Sequence, residues 1–450
     1  MRQPRVENAH RFAPFAPARR STDGLVRTRP CRYAAPVRSC VAVLLPQSSY
    51  RGDDLLAAAA RLGVDVFVAS DRCHVLAEQW TEGALPLDFN DPEGAARSLA
   101  DAVRPRDPRA VLGTDDRTAV IAARAARLLG LPHDAPEAVE AARNKRLARE
   151  RLRDANVPVP RFRVVPLDGP VPEDVPFPCV VKPLVLSGSR GVIRADDPAQ
   201  LRAALRRVGR LLRSPEVAVR RDAELSHVLV EEFLAGPEVA VEGLLTKGEL
   251  TVLAVFDKPD PLDGPFFEET LYVTPSRHPE HVQREVARAT ADAARALGLT
   301  HGPIHAELRL TRDGPRILEV AARSIGGLCG RALRFGVGVA LEELLLLHAL
   351  GRAPDLPRER AASGVLMLPI RRGGVLREVR GIDEARAVPY VTDVVMTAHP
   401  DEELVPLPEG ASYLGFAFAR ADTPAQVEWA LRRAGALVEP IVDPKLPTAR

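Results

Sequence analysis

The stretch Ile304-His305-Ala306-Glu307-Leu308-Arg309-Leu310, then Asp313-Gly314, then Arg316-Ile317-Leu318-Glu319-Val320, reads as two apolar strands joined by a tight turn. Side chains alternate along a strand, so His305, Glu307 and Arg309 share one face. A turn of the Asp-Gly type makes the two strands antiparallel neighbours. Glu307 and Glu319 then lie across a hairpin among strongly apolar flanks, where two carboxylates are tolerated if a cation sits between them. Mg²⁺ suits such a pair, because it takes a few carboxylates and completes its octahedron with water and phosphate oxygens. Past Glu319 the chain runs Val320-Ala321-Ala322-Arg323-Ser324-Ile325-Gly326-Gly327. On continued strand geometry Arg323 shares the parity of Glu319 and points at the same place. Gly326-Gly327 lets backbone donors come close to a ligand. His305 either orients Glu307 or packs.

Working upstream, Val180-Val181-Lys182-Pro183-Leu184 is a strand ending in a lysine. The loop Ser187-Gly188-Ser189-Arg190-Gly191 follows. Small residues let bare backbone N–H groups reach phosphate oxygens while the lysine offsets their charge. The pattern is not G-x-x-x-x-G-K-[ST], so any phosphate is held from a sheet rather than from a helix start. Val228-Leu229-Val230 runs into Glu231-Glu232-Phe233-Leu234 and, past a turn, Glu238. Backbone groups at such a strand end can pair with an adenine edge, and a carboxylate is a natural acceptor for ribose hydroxyls. Lys145, in Asn144-Lys145-Arg146, falls inside a helical stretch expected from Pro136 to Ala155. Of the 62 basic residues five are lysines: Lys145, Lys182, Lys247, Lys258 and Lys445. In a chain that otherwise chooses arginine, a compact ammonium suits a tight phosphate site.

Net charge is +2, which speaks against nucleic acid as the main partner. No apolar run approaches the roughly 20 residues of a membrane span. Five cysteines are scattered without CxxC spacing, which argues for a reducing, cytoplasmic compartment. Residues 1–38, rich in Arg, Pro and Ala, read as a disordered leader. Cys40 to Leu45, Val64 to Val68 and Ala110 to Leu112 are strands that alternate with helices Asp53 to Leu62 and Thr118 to Leu129, a parallel α/β pattern. No G-x-G-x-x-G follows the first strand. From Gly364 onward, strands and one amphipathic helix, Pro424 to Arg433, form an α+β segment.

The ordered set resembles the ATP-grasp superfamily over about residues 136–350, and within it the L-amino-acid ligases or carboxylate–amine ligases. The set is Lys145, Lys182, the 188–191 loop, Glu231 to Leu234, Glu238, Glu307, Glu319 and Arg323. The finer likeness rests on Asp257 to Asp263, Gly264 to Thr270 and Ala321 to Gly327. The resemblance implies a multidomain α/β and α+β fold. A pre-ATP-grasp α/β domain would cover 39–140. The ATP-grasp domain would cover 141–355, with a lid at about 157–230, and a small α+β domain 356–450 would close over the site. It implies ATP and one or two Mg²⁺ ions, with Mn²⁺ as an alternative, held by Glu307 and Glu319. ATP would be bound by Lys145, Lys182, Ser187, Gly188, Ser189, Gly191, Glu231, Glu232, Phe233, Leu234 and Glu238. Arg323, Gly326 and Gly327 would stabilise a tetrahedral oxyanion, and Glu268 or Glu269 would hold the amine or accept its proton. The partners implied are a small-molecule carboxylate and an amine, with no nucleic acid or membrane; a homodimer is allowed. Ala321 departs from the family, where many members carry an Asn metal ligand. That departure lends weight to a non-catalytic ATP sensor, against which the intact lysines, glutamates and Arg323 count. A biotin-carboxylase-like enzyme is the other alternative, but no carrier lysine motif is visible.

Overall fold

A computed structural model describes residues 39–47, 49–71, 85–352 and 356–445; the expected leader lies outside them. Strand Cys40–Leu44 is buried along its whole length, as a central parallel strand covered on both faces must be. It lies between the parallel strands Asp65–Ser70 and Pro108–Gly113, with Leu85–Pro86 at the far edge. Helices Gly52–Leu62, Pro92–Val103 and Asp116–Leu129 complete this α/β unit. Gly63 and Gly130 end their helices in the left-handed conformation, at φ +67° and +70°, where a Cβ would be strained.

The expected helix over Pro136 to Ala155 is broken in two. Helix Pro136–Arg143 ends at Asn144, whose extended backbone starts helix Lys145–Asp154. The Asn144 side chain accepts from the N–H groups of Arg146 and Leu147, satisfying donors that a helix start leaves free. Lys145 is therefore the first residue of a helix, and it is buried. Its backbone N–H donates to the Leu184 carbonyl, docking this helix on the next unit. That unit is an antiparallel sheet in the order Phe162–Pro166, His227–Glu232, Cys179–Pro183, Ile193–Ala195. Helix Pro198–Leu212 packs its apolar stripe (Leu201, Ala204, Val208, Leu211) on one face.

The largest sheet has eight antiparallel strands, ordered Gly314–Ala321, Gly302–Thr311, Glu238–Thr246, Glu249–Lys258, Leu271–Thr274, Ala362–Leu368, Gly415–Ala421, Val391–Met396. The expected hairpin at Asp313-Gly314 is present, a second joins Glu238–Thr246 to Glu249–Lys258, and Lys247, Gly248 and Gly314 have positive φ at these turns. The C-terminal strands are hydrogen-bonded into this sheet through Leu271–Thr274 and Ala362–Leu368, so the α+β segment continues the sheet that carries Glu307. Helix Glu280–Leu297 covers one end of the sheet and helix Pro424–Gly435 the other. A three-stranded sheet centred on Gly374–Arg380 lies outside it. Helix Leu341–Ala349 is buried over residues 341–348, Glu342, Glu343 and His348 included. Its Leu346 and Leu347 pack on Leu55, Ala59 and Leu62 of the N-terminal unit, which ties that unit to the sheet.

At the end of this helix the His348 ring lies 5.0 Å from that of His301, and its Nε2 is 2.9 Å from Thr246 Oγ1. Burial, and next the charge of His301, push the His348 imidazole down to about 4, below its ordinary value of about 6.5. A group with a depressed folded-state pKa contributes stability that is present above the unfolded value and lost as pH falls through the folded one. Stability is therefore expected to fall as pH drops from about 6.5 toward about 4, and His348→Gln is expected to flatten that limb. Urea denaturation over this range checks it; an unchanged acid limb in the variant would assign the loss to other groups.

Candidate active site

The hairpin places Glu307 and Glu319 directly opposite each other. Their side chains are 22% and 31% exposed and open on a cleft of about 350 Å³. Lys145 Nζ is 3.2 Å from Glu319 Oε2, and Lys258 Nζ is 3.1 Å from Glu307 Oε1. Burial would raise the Glu307 carboxyl, but Lys258 and His305 hold it well below the usual carboxylate range. Two partly accessible carboxylates side by side fit a hard divalent cation. His305 does more than pack: its Nδ1 is 3.1 Å from Glu242 Oε2 and its Nε2 3.8 Å from Glu307 Oε1. Burial would lower the imidazole, but these two carboxylates outweigh it and raise it to about 9.

Lys182 stands on strand Cys179–Pro183 beside Glu231 of the neighbouring strand, with Nζ 2.6 Å from Glu231 Oε2. Glu231 is 1% exposed and is also gripped by Arg149 through Oε1. It anchors Lys182 from behind. Glu232, one residue on, is held by the Arg161 backbone N–H and Nε at 2.9 and 2.7 Å. Of the carboxylates at this strand end, Glu238 pairs with Lys258 at 2.7 Å and Arg309 at 3.0 Å inside the cleft. Ser187, Gly188, Ser189, Phe233 and Leu234 line it, whereas Gly191 does not. Gly191 has φ +75° and its missing Cβ would meet Pro183 Cγ at 2.6 Å; its role is to let the loop pack.

Arg323 lines the cleft, but its guanidinium is held by Asp116 at 2.8 and 3.2 Å. Asp116 sits in the first turn of its helix, so the N-terminal unit orients a residue in the bend that follows strand Gly314–Ala321. Arg51 joins the same seam, donating to Ser324 Oγ at 2.5 Å and the Ile325 carbonyl and pairing with Glu342. Gly326 and Gly327 line the cleft. A Cβ at Gly327, φ +58°, would come within 2.9 Å of the Phe416 ring.

The structure separates the two adjacent acidic candidates. Glu269 is in the cleft and accepts from Tyr272 Oη at 2.8 Å and from Lys258. Burial, and next the charge of Glu307, push it up to about 7. Glu268 lies outside the cleft lining; burial raises it and Arg371 opposes that. Tyr50, Met367 and Tyr413 close the cleft near Glu269.

The chain matches three family profiles: an ATP-grasp N-terminal domain over residues 56–133, an ATP-grasp domain over 175–332, and L-amino acid ligase C-terminal domain 2 over 366–443. It is built on the ATP-grasp fold. It superposes on an L-amino acid ligase from Bacillus licheniformis with a TM-score of 0.73 at 24% identity, covering 90% of this chain and 99% of that one. It is 29% identical to protein y4rH of Sinorhizobium fredii over 68% of this chain and 63% of that protein. It is 30% identical to carnosine synthase 1 of Gallus gallus over 72% of this chain and 38% of that enzyme. The chain thus spans less than two thirds of the length of these two relatives.

On this ATP-grasp frame, sequence reasoning missed Lys258, Asp116, Arg149 and Arg51. The rarity of lysine was a signal for Lys258. The other three act through partners tens to hundreds of residues away, and no local pattern marks them. Among the described residues, Cys40, Cys179 and Cys329 are buried free thiols, and no helix is long and apolar enough to cross a membrane.

Proposed function

We propose that the protein is an ADP-forming, ATP-dependent ligase that joins a small carboxylate, an amino acid by preference, to an amine. The observation that carries this is the cross-strand Glu307–Glu319 pair, opening on the cleft between Lys145 and Lys258 with Glu269 alongside. The match to an L-amino acid ligase C-terminal domain supports the choice of amino acid, and the free buried cysteines support a reducing, cytoplasmic setting. The backbone of Glu232 to Leu234 takes the adenine edge and Glu238 the ribose. Lys145 and Lys182 offset phosphate charge, so the γ-phosphoryl group is the one stabilised for transfer. Mg²⁺, held by Glu307 and Glu319, supplies further charge neutralisation there when bound.

The substrate carboxylate oxygen attacks the γ-phosphorus and ADP leaves. The amine nitrogen then attacks the acyl carbon, the C–O bond to phosphate breaks, and the nitrogen loses a proton. Arg323, aimed by Asp116, and the Gly326-Gly327 backbone face the oxyanion that forms in the second step. Glu269, raised to about 7, is suited to hold the ammonium and take its proton. Tyr413, Met367 and Phe267 keep water from the activated acyl group. With labelled ATP and amino-acid mixtures, ADP and phosphate are expected in equal amounts with an amide product. Formation of AMP, or ADP formation with no amine consumed, would reject the reading.

A further inference from the structure

Lys258 ends strand Glu249–Lys258, and its side chain is 3% exposed. Its Nζ meets Glu238 Oε1 at 2.7 Å and Glu307 Oε1 at 3.1 Å and bonds Glu269 Oε1. The Tyr272 ring centroid, 4.9 Å away, covers another side. An ammonium has three donors; here two go to Glu238 and Glu269, and Glu307 sits against it as a close ion pair, so carboxylates rather than phosphate oxygens surround it. Lys145 and Lys182 differ, since each pairs with a single carboxylate. Ligand oxygens of Glu238, Glu269 and Glu307 lie within 4.8 Å of one another. Three carboxylates so close are a ligand set for a hard cation, and Lys258 stands among them.

We propose that Lys258 is a positioning residue that gathers Glu238, Glu269 and Glu307 into one cluster and keeps its centre closed to divalent cations. The three carboxylates come from different strands and segments, at the ribose, amine and metal subsites named above; those names rest on the proposed reaction. The ammonium fixes their mutual geometry. It also confines a metal ion on Glu307 to the side shared with Glu319, facing the phosphates. An arginine cannot do this. Its planar fork serves one or two carboxylates in a plane, whereas three converging carboxylates need a compact tripod of donors. Among 62 basic residues of which five are lysines, this position keeps a lysine.

The metal titration needs neither nucleotide nor substrate, so that arm stands or falls apart from the ligase reading. Mn²⁺ is titrated into the nucleotide-free full-length chain and followed by electron paramagnetic resonance. Lys258→Met is expected to gain one Mn²⁺ site that the wild type lacks, and adding Glu269→Gln is expected to abolish it. If Lys258→Met is too unstable to titrate, the same occupancy is read as a Mn²⁺-dependent rise in its melting temperature, absent from the wild type. Lys258→Arg, which keeps the charge, is expected to raise KM for the amine about tenfold or more, with kcat changed less. No extra site or Mn²⁺-dependent stabilisation in Lys258→Met, a site that survives Glu269→Gln, or wild-type KM in Lys258→Arg would each overturn the proposal.

Discussion

Glu319→Gln is expected to lower turnover roughly 10²–10³-fold while leaving the protein folded. The substitution keeps the shape of the side chain and the strand pairing with Glu307. It removes one of two carboxylates at the proposed metal site, and with it half of the negative charge that the pair presents to a cation. The γ-phosphoryl group loses its alignment as the metal loses a ligand, and transfer of that group depends on positioning and charge. Folding is spared because Glu319 is 31% exposed and Gln can still accept from Lys145. Steady-state ADP release and thermal melting of the variant decide the matter. Turnover near that of the wild type in a folded variant would remove Glu319 from the metal site.

What the sequence made legible was short in range. Alternation alone placed His305, Glu307 and Arg309 on one face, and the Asp313-Gly314 turn made the two strands antiparallel neighbours; that turn's register pairs Leu308 with Ile317, and a β-bulge beyond it, which the sequence does not mark, brings Glu307 opposite Glu319. The hidden part was long in range. The Lys145 helix boundary depended on Asn144 capping it, a signal present in the sequence but outvoted there by helical periodicity on both sides. The cluster around Lys258 joins residues 238, 258, 269 and 307, and their convergence follows from strand order in the sheet, which no window of sequence contains. Asp116 reaches Arg323 across 207 positions. The C-terminal α+β domain was legible, but its continuity with the central sheet was not, because the hydrogen bonds of Leu271–Thr274 to Ala362–Leu368 leave no mark in either segment alone.

Lys182→Arg is expected to weaken ATP binding about 10–100-fold, the loss of one charge-assisted contact, although the charge is kept. Lys182 is fixed from behind: its Nζ lies 2.6 Å from Glu231 Oε2, and Arg149 already holds Glu231 Oε1. Glu231 is 1% exposed, so the carboxylate cannot swing out to meet a larger partner. A guanidinium at this position extends further than an ammonium and spreads its charge over a plane. It must either drive its fork into the occupied Glu231 site or turn toward the cleft and crowd the phosphates. Lys182→Met makes the comparison decisive. It removes the charge but leaves Glu231 paired with Arg149, so the fold is expected to survive. If compact shape matters as much as charge, the Arg variant binds ATP little better than the Met variant. Should Lys182→Arg keep wild-type affinity for ATP while Lys182→Met loses it, the site needs charge alone. If both variants bind as the wild type does, Lys182 does not touch the nucleotide.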